Sequence, residues 1–174
     1  MLKHVNSSGL FMERLESILS QDPIMSVVLN RLDMLTVPDC QVAAGAIAQT
    51  VWNNILGKPQ GWGLKDIDII YFDRDDVSAK IEKSREQEVR AVFNDLPLNF
   101  DVKNEARVHL WYEDKFGYPI RQYSSLRGAV DTFPTTATCV AARRCDDRFE
   151  SYATFGYDDL FDLIVRARSP KRFI

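Results

Sequence analysis

The stretch Lys65-Asp66-Ile67-Asp68-Ile69-Ile70-Tyr71-Phe72-Asp73 places two carboxylates two positions apart in an otherwise apolar, β-branched run. A strand alternates its side chains between two faces. Asp66 and Asp68 therefore share a face, with Cα atoms about 6.5–7 Å apart. Charges of one sign so placed repel, and aspartate is a poor strand former. A divalent cation would offset both costs, because carboxylate oxygens are what Mg²⁺ takes, often alongside substrate phosphates. The plainer alternative has Asp66 capping the preceding loop and Asp68 facing solvent.

Two further features bear on this pair. Upstream, Val42-Ala43-Ala44-Gly45-Ala46 reads as a strand running into a glycine and then a helix. A glycine there lets the backbone approach a ligand, and a helix start offers unpaired N–H groups and a positive dipole end to a phosphate. The alternative is that Gly45 only permits close packing. Downstream, Leu98-Asn99-Phe100-Asp101-Val102-Lys103 is a second apolar strand interrupted by a carboxylate. If the two strands pair, Asp66, Asp68 and Asp101 converge on one or two metal ions. Otherwise Asp101 is a strand-end residue.

Positioning these groups needs strands and helices in alternation, and the pattern supplies them. Apolar spacing predicts a helix over Leu10 to Leu19. A second helix starts with Asp22 as N-cap and Pro23 in its first turn, and Val37-Pro38-Asp39 ends it. Strands are expected at 40–44, 67–72 and 98–102, with helices over 46–56 and 76–94 between them. Gly57 to Gly63 is a loop by composition. Residues 104–114 and 125–132 read as helices. Residues 138–142 and 148–154 read as strands around Asp146-Asp147, and 158–167 as a closing helix. The implied class is α/β, a sheet with helical cover.

Composition narrows the function. The chain has 174 residues, 45% of them hydrophobic and 27% charged, which is ordinary globular usage and predicts one domain. A net charge of −3 is a poor basis for strong duplex nucleic acid binding. It leaves room for a small phosphorylated ligand. Three cysteines, Cys40, Cys139 and Cys145, form no CxxC pair, which disfavours a disulfide framework or structural zinc. They are expected to be buried, in a cytoplasmic protein. Only two histidines, His4 and His109, are present, too few for a multi-imidazole site. No run approaches a membrane span, so no membrane partner is expected, and the start lacks the apolar core of an export signal.

The remaining polar candidates have simpler readings. His109 fits a structural histidine beside Trp111. Trp52 fits core packing, and Thr135-Thr136 a turn or cap. Asp73-Arg74-Asp75-Asp76 fits a solvated turn, and Arg166, Arg168, Lys171 and Arg172 a basic helix end.

Taken together, Ala43-Ala44-Gly45-Ala46-Ile47, Asp66-Ile67-Asp68 with its apolar continuation, and Asp101 resemble the DNA polymerase β-like nucleotidyltransferase superfamily. Asn104-Glu105-Ala106-Arg107-Val108-His109-Leu110-Trp111-Tyr112, Phe133-Pro134-Thr135-Thr136-Ala137-Thr138 and Phe155-Gly156-Tyr157-Asp158-Asp159-Leu160-Phe161 bring it closer to small bacterial nucleotidyltransferase-like members of mostly unassigned activity. The resemblance implies a nucleotidyltransferase-type mixed β-sheet flanked by helices, with a C-terminal hairpin and helix. It implies one domain over 1–174, with N-terminal helices over 1–37 and a catalytic core with its C-terminal elaboration over 38–174. It implies Mg²⁺ or Mn²⁺ held by Asp66, Asp68 and Asp101, and a nucleoside triphosphate whose phosphates lie along Gly45 and Ala46. Asp101 would also help deprotonate an acceptor hydroxyl of unknown identity. Where the superfamily has Gly-Ser or Gly-Gly, this chain has Gly45-Ala46, so backbone N–H groups remain but a hydroxyl does not. The alternatives are a nucleotide- or metal-binding module without turnover, regulatory or antitoxin-like, and a plain interaction protein with surface acids.

Overall fold

The computed structural model describes residues 7–168. Five strands form one mixed sheet: β1 (Gln41–Ala43), β2 (Asp66–Tyr71), β3 (Asn99–Asn104), β4 (Val140–Cys145) and β5 (Arg148–Ala153). Their order is β3-β2-β1-β4-β5. Only β2 and β3 run parallel; the other three pairings are antiparallel.

Alternation along the strands gives the sheet two unlike faces. Ile67, Ile69, Tyr71, Phe100 and Val102 lie in the main core. That core is completed by α1 (Ser7–Gln21), α2 (Pro23–Arg31), α3 (Gly45–Ile55), α4 (Ala79–Val92) and, later in the chain, α7 (Asp158–Phe161). Burying side chains of this size stabilises by about 1.5–3 kcal/mol each. The other face is covered only in part. There Ala43, Ile70, Ala141 and Val130 form a small second cluster, with Val130 supplied by α6 (Leu126–Val130). The N-terminal ends of β2 and β3 lie outside that cover.

Local chemistry sets the boundaries. Asp22 Oδ1 accepts from the Ile24 and Met25 N–H groups, both at 3.0 Å, so α2 starts as its sequence predicts. The Ser78 hydroxyl caps α4, which begins three residues after the expected Asp76. Asp73 and Asp76 instead accept from backbone N–H groups within their own turn.

Two expected helices are corrected. Residues 104–114 are not one helix. β3 runs on to Asn104, which is fully buried. Its Oδ1 accepts from Asp73 N at 3.0 Å and Ala106 N at 3.1 Å, while its Nδ2 donates to Asp73 O at 2.8 Å. Those bonds fasten the ends of β2 and β3 together and turn the chain. A 3₁₀ turn at Val108–Leu110 and the short α5 (Tyr112–Phe116) then carry the apolar spacing. The closing helix stops at Phe161. Leu163 has φ +60°, and the chain beyond it pairs Ala167 with Thr135.

Candidate active site

The parallel register sets Asp68 directly beside Asp101, and Asp66 beside Asn99. Neighbours in register share a face, so Asp66, Asp68 and Asp101 lie together on the incompletely covered side. Asp66 and Asp101 are exposed and Asp68 is half-buried. Partial burial, then the negative charges of Asp101 and Asp66, push the Asp68 carboxyl up to about 6. Lys103, two residues along the same face, opposes that rise and forms an ion pair with Asp101.

On the other side of Asp68, β1 places Ala43 in register with it. The chain then turns sharply into α3. Ala44 sits at φ +54°, ψ −122°, a conformation that side chains rarely adopt. The strained position is thus Ala44, not the glycine after it. No side chain caps α3, and a Cβ placed on Gly45 would meet nothing within 4 Å. Gly45 therefore fronts open space. The Ala46 side chain does not: it is 2% exposed and belongs to the main core. From Ala46 only the backbone N–H is left to serve a ligand.

The donor set suits a hard cation, since all three groups are carboxylates on one face and Lys103 offsets their mutual repulsion in part. Among the described residues no three acidic, histidine or cysteine side chains already converge into a ligand cage. The residues fit Mg²⁺ or Mn²⁺ by chemistry and register, with side-chain movement needed to close on it.

Sequence reasoning missed one carboxylate. Glu105 is 6% exposed, and burial, then the charge of Glu82, push it up to about 8. The signal was available as period two along Asn99, Asp101, Lys103 and Glu105. It was hidden by reading 104 onward as a helix.

Several of the other candidates make structural contacts. Trp52 Nε1 donates to the Leu160 carbonyl at 2.9 Å, and the Thr135 hydroxyl caps a 3₁₀ turn. Thr136 donates to Asp159 at 2.5 Å. Arg166 pairs with Asp159, and Arg168 donates to the Asp131 carbonyl; Lys171, Arg172 and His4 lie outside the described residues. His109 is half-buried, with its Nδ1 enclosed and unbonded. Cys40 and Cys139 are buried, but Cys145, at the end of β4, is not fully so. All three are free thiols. No described helix is long and apolar enough to cross a membrane.

Comparison with known proteins bears on the family and the fold. A family model described as "Nucleotidyltransferase" matches residues 30–172. A solved structure, reported as an NMR structure that reveals a CCA-adding enzyme head domain, superimposes with a TM-score of 0.73 at 26% identity. The match covers 89% of this chain and 78% of that one. No curated protein matches the sequence.

Proposed function

Because the chain belongs to this nucleotidyltransferase family, we propose that it transfers a nucleoside monophosphate from a nucleoside triphosphate to an acceptor hydroxyl. The observation that carries the reading is the β2–β3 register, which sets Asp68 against Asp101 with Asp66 on the same face. Asp66, Asp68 and Asp101 would hold Mg²⁺ or Mn²⁺. When bound, the cation neutralises the phosphates and lowers the pKa of the attacking hydroxyl.

The chain's own groups do the rest. Open space at Gly45 and the uncapped N–H groups of α3 receive the phosphates. Asp101 accepts the acceptor's hydroxyl proton and passes it to solvent. The acceptor oxygen bonds to the α-phosphorus as the bond to the bridging oxygen breaks, and pyrophosphate leaves with that electron pair. Lys103 competes with a cation for Asp101, so Lys103 is freed for phosphate when the cation is present.

The test is incubation with Mg²⁺, each labelled triphosphate and a cell lysate as acceptor pool. Wild type should label an acceptor and release pyrophosphate, and Asp66→Asn/Asp68→Asn should do neither. A second reading, a binding module without turnover, is favoured by one observation. The residue after Gly45 offers no hydroxyl, and its methyl group is buried in the core. Tight triphosphate binding with no pyrophosphate released would select it.

A further inference from the structure

The last described residues do not continue a helix. They return along residues 134–136 as a short antiparallel ladder, in which Ala167 pairs with Thr135. The Thr136 N–H donates to the Arg166 carbonyl at 3.0 Å, and the Arg168 N–H to the Pro134 carbonyl at 2.9 Å. The ladder fixes where the Arg168 side chain stands. Its Nη1 donates to the Asp131 carbonyl, to the Phe133 carbonyl at 3.3 Å and to Cys139 Sγ at 3.7 Å. Its guanidinium lies 4.8 Å from the centroid of the Phe155 ring. A long, flexible cation is thus held in one position.

That position adjoins the turn from β1 into α3. Asp68, Ala43 and Ala141 form one row across the sheet. Cys139 lies two residues before Ala141, so alternation puts it on the same face, one step nearer the end of the sheet where α3 begins. There the Ala44 N–H donates at 2.9 Å to the carbonyl of Val140, the residue after Cys139, and Gly45 with its open space follows Ala44. The cation is not spent on a carboxylate. Asp131 Oδ1 accepts instead from the Tyr152 and Thr154 hydroxyls, at 2.6 and 2.8 Å. Among the described residues no side chain forms an ion pair with Arg168, and none accepts from its Nε or Nη2. Arg166, two residues away, is by contrast paired with Asp159.

We propose that Arg168 holds the terminal phosphates of the triphosphate, and then the pyrophosphate, its Nε and Nη2 making the two-pronged contact that a guanidinium forms with phosphate oxygens. The identity of the anion rests on the transfer reading above; the anion site itself does not. Negative charge gathers on the pyrophosphate oxygens as the bond to the α-phosphorus breaks, and a cation already fixed in place meets it without reorganisation.

The probe is inorganic pyrophosphate in Mg²⁺. In wild type, the ¹⁵N NMR signal of the Arg168 Nε–H group should move as pyrophosphate is added, and the movement should shrink in Gly45→Val. By calorimetry, Arg168→Gln should weaken pyrophosphate by about tenfold or more, as loss of charged hydrogen bonds does. Arg168→Lys should weaken it less, and Arg166→Gln by less than about twofold, since that charge is exposed and already paired. A wild-type Arg168 signal that stays still overturns the proposal without any variant having to fold. A response undiminished in Gly45→Val, or equal losses in Arg168→Gln and Arg166→Gln, overturns it too. Pyrophosphate held by Arg168 in a protein that releases none from any triphosphate refutes the transfer reading and leaves the anion site standing. Full transfer activity in Arg168→Gln does the reverse.

Discussion

Asp68 carries the clearest single-residue consequence. Its folded value of about 6 lies above the ordinary value near 3.8. A carboxyl raised by folding binds its proton more tightly in the native state. Its contribution is favourable below the unfolded value and is lost as pH rises through the folded one. Asp68→Asn removes that loss. A rise of this size corresponds to about 3 kcal/mol at most, and partial solvent screening reduces this to about 1–2 kcal/mol. In EDTA at pH 8 the variant should melt above wild type by about 2–8 °C, since 1 kcal/mol moves a protein of this size about 2–4 °C. Near pH 4 the two should coincide. A constant difference from pH 4 to 8 would show that the ionisation of Asp68 is not the cause.

The turn from β1 into α3 shows how far an element can be read from sequence. The strand, the glycine and the helix are all legible from 40 to 56, because apolar periodicity and a helix breaker are local signals. The backbone conformation between them is not. A glycine marks a turn, yet here the residue with positive φ is Ala44, held by the Ala44 N–H donating to the Val140 carbonyl at 2.9 Å. That partner is distant in sequence. The same limit explains residues 104–114, where a buried asparagine binding the end of another strand overrode a helical pattern. It also hid Glu105 from the candidate site, whereas the shared face of Asp66 and Asp68 followed from period two, and Asp101 from the next apolar strand.

Strain of the Ala44 kind costs on the order of 1–3 kcal/mol, and glycine's extra unfolded-state freedom returns about 0.5–1. Ala44→Gly should therefore stabilise by about 1 kcal/mol in thermal melts, and an unchanged or lower melting point would show that the turn is relaxed. Gly45→Val separates fold from ligand at the same turn. Its Cβ meets only open space, so the core and far-ultraviolet spectrum should survive while triphosphate affinity in Mg²⁺ falls. Unchanged affinity with an intact fold would remove the phosphates from this turn.

At the scale of the molecule, the sheet divides labour between its faces. One face, roofed by helices, holds the main core; the other bears the acids, and α6 with Phe133 just after it covers that face in part. Charge repulsion on the open face opposes folding, so whatever relieves it stabilises the whole chain. Lys103 supplies part of that relief through its ion pair with Asp101. A divalent cation bound only by the native state adds to it by mass action, about 2.7 kcal/mol at one hundred times its dissociation constant. Wild type should therefore melt several degrees higher in excess Mn²⁺ than in EDTA. The gain should shrink below pH 6, where protons compete for Asp68. Lys103→Met should enlarge it, because the internal competitor for Asp101 is gone and the face has more repulsion to relieve. Asp66→Asn/Asp68→Asn should abolish it while leaving the main core undisturbed, since both side chains lie on the other face. An equal Mn²⁺ shift in that double variant would place the ion elsewhere and leave this face without its proposed cation.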